Sequence, residues 1–133
     1  VLDTERAESQ AKAKLQSIMD MVKCLEADED YEGQWPTEAI DRSILSLEIR
    51  FGWHVPGKQS EADKEYLLLL SWGGPASPNA TAVRIVGNLN IDDDPYTARL
   101  QYQDWGISWI DYPLSKTQED TVITYCQQFY FGS

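Results

Sequence analysis

From Leu45 to Val55 the chain alternates without a break, with Leu45, Leu47, Ile49, Phe51, Trp53 and Val55 separated by Ser46, Glu48, Arg50, Gly52 and His54. Successive side chains of a strand point to opposite sides, so this spacing predicts a β-strand with one face on a core and the other in water. A chain that spends so many apolar residues on one side of a strand must supply further strands beside it and something apolar to cover it.

Those strands follow. Tyr66 to Trp72 contains four consecutive leucines, Leu67 to Leu70, which predicts a strand apolar on both sides, ended by Gly73-Gly74-Pro75. Ala82 to Ile91 alternates again, with Val83, Ile85, Leu89 and Ile91 on one side and Arg84, Val86, Asn88 and Asn90 on the other. Gly87 interrupts the apolar side, where a bulge or a close helix suits it. Asp92-Asp93-Asp94-Pro95 reads as a turn, and Tyr96 to Trp105 as the return strand, with Ala98, Leu100 and Tyr102 inward and Arg99, Gln101 and Gln103 outward. Pro56-Gly57 closes the first strand, and Lys58 to Lys64 reads as a hairpin loop.

The cover is helical. From Thr4 to about Ala27, Ala7, Ala11, Leu15, Ile18, Met19, Val22 and Leu25 recur at three- and four-residue steps, with Asp3 as the expected cap. Glu26, Asp28, Glu29, Asp30 and Glu32 oppose the negative end of the helix dipole and should end the helix near Asp28. Thr37 to Ser43 reads as one or two helical turns capped by Thr37. After an aromatic loop from Gly106 to Leu114, Ser115 and Gln118 form a capping-box pattern ahead of Val122, Ile123, Cys126, Phe129 and Tyr130, a stripe that stops at Gly132. The expected fold is α+β: a four-stranded antiparallel meander with the N-terminal and C-terminal helices packed on one face, in one domain of 133 residues.

Twenty-two acidic residues against 11 basic ones give a net charge of −11, which disfavours direct contact with nucleic acid or anionic membranes. The acids concentrate at Glu26, Asp28, Glu29, Asp30 and Glu32 and at Asp92, Asp93 and Asp94, a candidate acidic patch or simply a solubilising surface. The three aspartates lack the spaced glycine and distal Glu of a calcium loop, so no metal is expected. Cys24 and Cys126 form no CxxC pair and His54 is the sole histidine, leaving zinc and Cys-His or Ser-His-Asp chemistry poorly supplied. The cysteines are expected as buried thiols of a reducing cytosol, or as a bond between two packed helices. No cofactor and no catalytic residue is assigned; the expected activity is binding rather than catalysis.

The candidate binding surface is the sheet face turned away from the helices, with Arg50, Arg84, Arg99 and Gln103, together with Asp104 near the end of the return strand and Trp105, Trp109 and Tyr112 of the aromatic loop. Planar guanidinium donors there suit a carboxylate, a phosphate or a protein partner, and the alternative is cross-strand pairing with Glu48 and its neighbours. Either Leu67 and Leu69 or Leu68 and Leu70 must share that face with Val86, covered by the aromatic loop or free as an interface.

The string Trp72-Gly73-Gly74-Pro75, Arg84-Ile85-Val86-Gly87 and Gln101-Tyr102-Gln103-Asp104-Trp105-Gly106, continuing to Trp109 and Tyr112, resembles small uncharacterised proteins of phages and integrated mobile elements over roughly Leu45 to Tyr112. The resemblance carries no catalytic residue. It implies a setting in which small acidic proteins inhibit host defence, so the expected partner is a protein, a host CRISPR or restriction nuclease complex, met by protein contact or by acids imitating phosphate. The alternatives are an assembly module of the element using the open sheet face, and a small-ligand binder or enzyme between sheet and aromatic loop.

Overall fold

The computed structural model describes residues 3–51, 64–72, 81–104 and 108–131. The elements run α1 (Asp3–Ala27), α2 (Pro36–Arg42), β1 (Ser46–Phe51), β2 (Lys64–Trp72), β3 (Thr81–Asn88), β4 (Arg99–Asp104), β5 (Ile110–Tyr112) and α3 (Lys116–Cys126). The five strands form one antiparallel sheet in the order β1-β2-β3-β4-β5. The fold is therefore α+β, with one strand more among the described residues than the four expected. The extra strand, β5, lies inside the stretch read as an aromatic loop: Ile110 pairs with Tyr102 and Tyr112 with Leu100, and three residues are too few for alternation to announce a strand. Gly52 to Val55, the Pro56-Gly57 stop, most of the Lys58 to Lys64 loop, the Gly73-Gly74-Pro75 break, the Asp3 cap, Trp105 and the Gly132 stop lie outside what is described; Lys64 itself opens β2.

The core lies between one sheet face and the helices. Ala7, Ala11, Leu15, Ile18, Met21 and Val22 of α1 are buried, against Tyr66, Leu68, Leu70, Val83, Ile85, Leu100 and Tyr102 of the sheet and Val122, Tyr125 and Cys126 of α3. Met19 and Leu25 only flank this cluster. Helix α1 packs on β3 and β4 and against both other helices. Tyr125 of α3 reaches Ser43 beyond α2, hydroxyl to hydroxyl.

Several local readings change. Leu45 and Ile49 are exposed, because β1 is the edge strand and projects past the helical cover; only Leu47 of the described residues packs on the core from it. Ile91 sits in the turn after β3 and is 58% exposed, and Tyr130, 78% exposed, points away from the core that Phe129 and Phe131 enter. Trp35, not Thr37, occupies the N-cap of α2 and makes no side-chain cap bond, while Pro36 stands at the first helical position, where its missing N–H costs nothing. The capping box of α3 is present in both directions, Ser115 to Gln118 and back.

Helix α1 ends where expected, but by a backbone device rather than by repulsion alone. The Asp28 N–H bonds to the Leu25 carbonyl and the Glu29 N–H to the Cys24 carbonyl, the two bonds of a Schellman motif, with Asp28 at φ +57° in the position glycine ordinarily takes. Glu32 and Gly33, at φ +49° and +79°, then form a tight turn closed by reciprocal bonds between Tyr31 and Gln34. Gly87 has a different reason to be glycine. A Cβ there would stand 2.1 Å from the Thr97 carbonyl oxygen and 2.7 Å from the Tyr66 ring, whose hydroxyl donates to that same carbonyl at 2.7 Å. The close neighbour is thus a cross-strand tyrosine rather than a helix.

Candidate functional site

Opposite pairs in the ladder share a face, so the register fixes what the open side carries. Ser46 stands beside Leu69, Leu69 beside Arg84, Arg84 beside Gln101 and Gln101 beside Asp111. The neighbouring row runs Glu48, Leu67, Val86 and Arg99. Leu67 and Leu69, half-buried, are therefore the leucines turned from the helices, with Val86 between the arginines.

Arg84 is the centre of this face. Its Nε donates to Gln101 Oε1 at 2.8 Å, and Gln101 Nε2 donates to Asp111 Oδ1 at 2.8 Å. The guanidinium carbon lies 3.9 Å from the centre of the Trp109 ring. The ring's negative face and the glutamine oxygen hold the cation from two directions. Gln101, although on the open face, is only 8% exposed because these groups cover it.

Three cations approach one another here. Burial, then the nearby charges of Arg50 and Arg99, push the Arg84 guanidinium below its ordinary range. Arg50 is bound to Glu65, its Nε donating at 3.0 Å, and Arg99 lies 3.9 Å from Asp111. Both of these pairs are well exposed. Arg84 forms no ion pair among the described residues. A groove of about 830 Å³ runs beside it, bounded by Glu48, Leu67, Val86, Arg99 and Glu119 among others.

The other expected site residues are divided between surfaces. Gln103 belongs to the open face, opposite Ala82 and near the 52%-exposed Trp72. Asp104 does not: it follows Ala98, Leu100 and Tyr102 in strand parity, pairs with Thr81 and is buried on the helix side. Arg84 and Asp104, which a small-ligand site between sheet and aromatic loop would need together, are therefore separated by the sheet. Tyr112 likewise turns to the core, its ring edge-on to Tyr102 at 6.4 Å. Trp109 stays on the open side, as a half-buried plate against Arg84 rather than a lid.

The acidic stretches belong to separate structures. Glu26 lies in the last turn of α1, and Asp28, Glu29, Asp30 and Glu32 form the exposed turns that follow. Asp92 and Asp94 flank Asp93 in a turn built on Asn90, whose side-chain oxygen accepts from the Asp92 and Asp94 N–H groups. Asp93, at φ +63°, accepts a 2.6 Å bond from Lys64. Among the described residues, no group of three or more His, Cys, Asp or Glu side chains has metal-holding geometry.

Both cysteines are free. Burial pushes the Cys126 thiol up to about 12 and raises Tyr66 and Tyr125 above the usual phenol range, marking them as core groups. None of the described helices is long and apolar enough to cross a membrane.

Sequence reasoning missed Asp111 as the anchor of Gln101 and Trp72 as an open-face aromatic. Leu69 pairs with Arg84 but Ser71 with Val83, so an irregularity at Leu70 resets the parity and sends Trp72 outward. The fold and this face define an α+β domain with one sheet side covered and the other bearing a positioned cation. Comparison of the chain with known protein families, curated proteins and solved structures finds no match.

Proposed function

We propose that this chain is a binding protein whose partner, a protein, seats on the open sheet face. One observation carries the reading: Arg84 is half-buried, held by Gln101 and Trp109, and left without a carboxylate among the described residues. A desolvated cation without an internal counter-charge is costly for stability alone, and a partner's anion offsets that cost. The adjacent exposed Trp72 and the apolar Leu67 and Val86 give the face the mixture of aromatic, arginine and aliphatic groups on which interfaces concentrate their energy. Two acids of the face already hold side chains: Glu65 binds Arg50 and Asp111 binds Gln101.

The resemblance to proteins of phages and mobile elements supplies the setting, inhibition of a host CRISPR or restriction nuclease complex. Within it, the net charge of −11 favours a second mode, in which Glu26 to Glu32 and Asp92 to Asp94 imitate phosphate. Binding of the purified protein to a panel of host nuclease complexes at low salt separates the two. Arg84→Glu is expected to weaken binding about tenfold or more, with reversal of the acids having the smaller effect. Loss of binding on acid reversal with Arg84→Glu unchanged would establish mimicry instead. A change of oligomeric mass with Arg84→Glu or Trp109→Ala, without any nuclease bound, would point to an assembly module.

A further inference from the structure

We infer that the groove beside Arg84 is a subsite for a single carboxylate carried on an apolar body: an acidic side chain flanked by aliphatic residues in an extended segment of the partner. This rests on the reading of the open face as a protein interface, and it specifies what that interface recognises.

The charge balance selects the ligand. Arg50 is matched by Glu65 and Arg99 approaches Asp111, so of the three arginines on the open face Arg84 is the one without an ion pair among the described residues. Glu48 and Glu119 also border the groove. A monoanion can be met by the Arg84 guanidinium alone; a phosphate dianion, or a nucleic-acid strand with its repeated charges, is repelled more strongly by the surrounding carboxylates. The guanidinium is also fixed in orientation. With Nε bonded to Gln101 and Trp109 against the group, its terminal nitrogens remain for the two parallel bonds that a carboxylate accepts. Beside it, Leu67 and Val86 give the groove an apolar floor, which rewards aliphatic neighbours of the acid and does nothing for a free inorganic ion.

The test uses the whole protein and nuclear magnetic resonance of two reporters, the Arg84 Nε–Hε group and the Trp109 indole N–H. Four probes are titrated at constant ionic strength: a blocked Leu-Glu-Leu peptide, its Leu-Gln-Leu counterpart, inorganic phosphate and a short oligothymidylate. The acidic peptide is expected to shift both reporters saturably, the amide peptide to bind about tenfold or more weakly, and phosphate and oligonucleotide weaker still. Arg84→Gln should remove the difference between the two peptides while leaving the remaining spectrum dispersed. Equal binding of the two peptides, tighter binding of phosphate or oligonucleotide, or no shift with any probe would overturn the assignment, and the wild-type comparison requires no variant to fold. If the peptides bind equally but Arg84→Glu still abolishes binding of a nuclease partner, the interface stands and only its carboxylate specificity falls.

Discussion

Arg84 and Ile85 are consecutive residues of β3, yet they belong to different environments. Ile85 is fully buried among the helices and core strands, while Arg84 stands half-buried on the other side, bonded to Gln101 and covered by Trp109. The helix side is nearly continuous hydrocarbon closed by tyrosines. The open side interleaves arginine, glutamine and acid with three aliphatic residues. Packing therefore ties the helix side to the existence of the fold, and the open side is free to be specified by what it meets. Substitutions on one side should act on stability and those on the other on binding.

The largest expected effect is on the helix side. Ile85→Ala removes most of a side chain from a fully buried site and should cost about 4 kcal/mol in urea unfolding. Gly87→Ala tests the same side by crowding: its methyl would meet the Thr97 carbonyl and the Tyr66 ring and displace their hydrogen bond, costing about 3 kcal/mol. A Gly87→Ala protein as stable as the parent would mean that Tyr66 does not lie across the glycine.

Alkaline pH probes the buried acids of that side together. The Cys126 thiol titrates near 12 when folded against an ordinary 9.0, so its contribution is complete below about pH 9 and lost as pH rises toward 12. Tyr66 and Tyr125, also raised by burial, act in the same direction from about pH 10 upward. Melting temperature should accordingly fall above pH 9, and Cys126 should resist a thiol reagent until the protein is unfolded. Rapid modification of Cys126 in the native protein would contradict its burial.

Smaller changes in stability are expected outside the packed core. Asp28→Gly relieves a left-handed conformation that disfavours a side chain and removes a negative charge from the end of α1, and should stabilise by about 1 kcal/mol. Arg50→Ala on the open face breaks only an exposed pair and should change stability by less than about 0.5 kcal/mol.

Much of the covered side was legible because periodicity reports local geometry. The alternation through β3 and β4, the stripe of α1 and the capping box of α3 each depend on residues close in sequence. The open-face site depends on pairing between strands. Arg84, Gln101 and Asp111 align only through the register of β3, β4 and β5, and β5 is three residues long. Trp72 was hidden by the irregularity at Leu70, and the exposure of Leu45 and Ile49 by the reach of an edge strand past its helices. Asp104 differs, since the parity that sends Leu100 and Tyr102 inward sends it inward too. It was grouped with the candidate binding surface, whereas strand geometry already assigned it to the core side.

The division between the two faces is tested most directly by measuring unfolding free energy and affinity for the acidic peptide on the same two variants, Arg84→Gln and Ile85→Val. Ile85→Val should lower stability by about 1 kcal/mol and leave affinity nearly unchanged; Arg84→Gln should keep stability within about 0.5 kcal/mol and weaken the peptide about tenfold or more. Should Arg84→Gln lose stability while retaining full affinity, the guanidinium belongs to the scaffold and the open face is not where this protein binds.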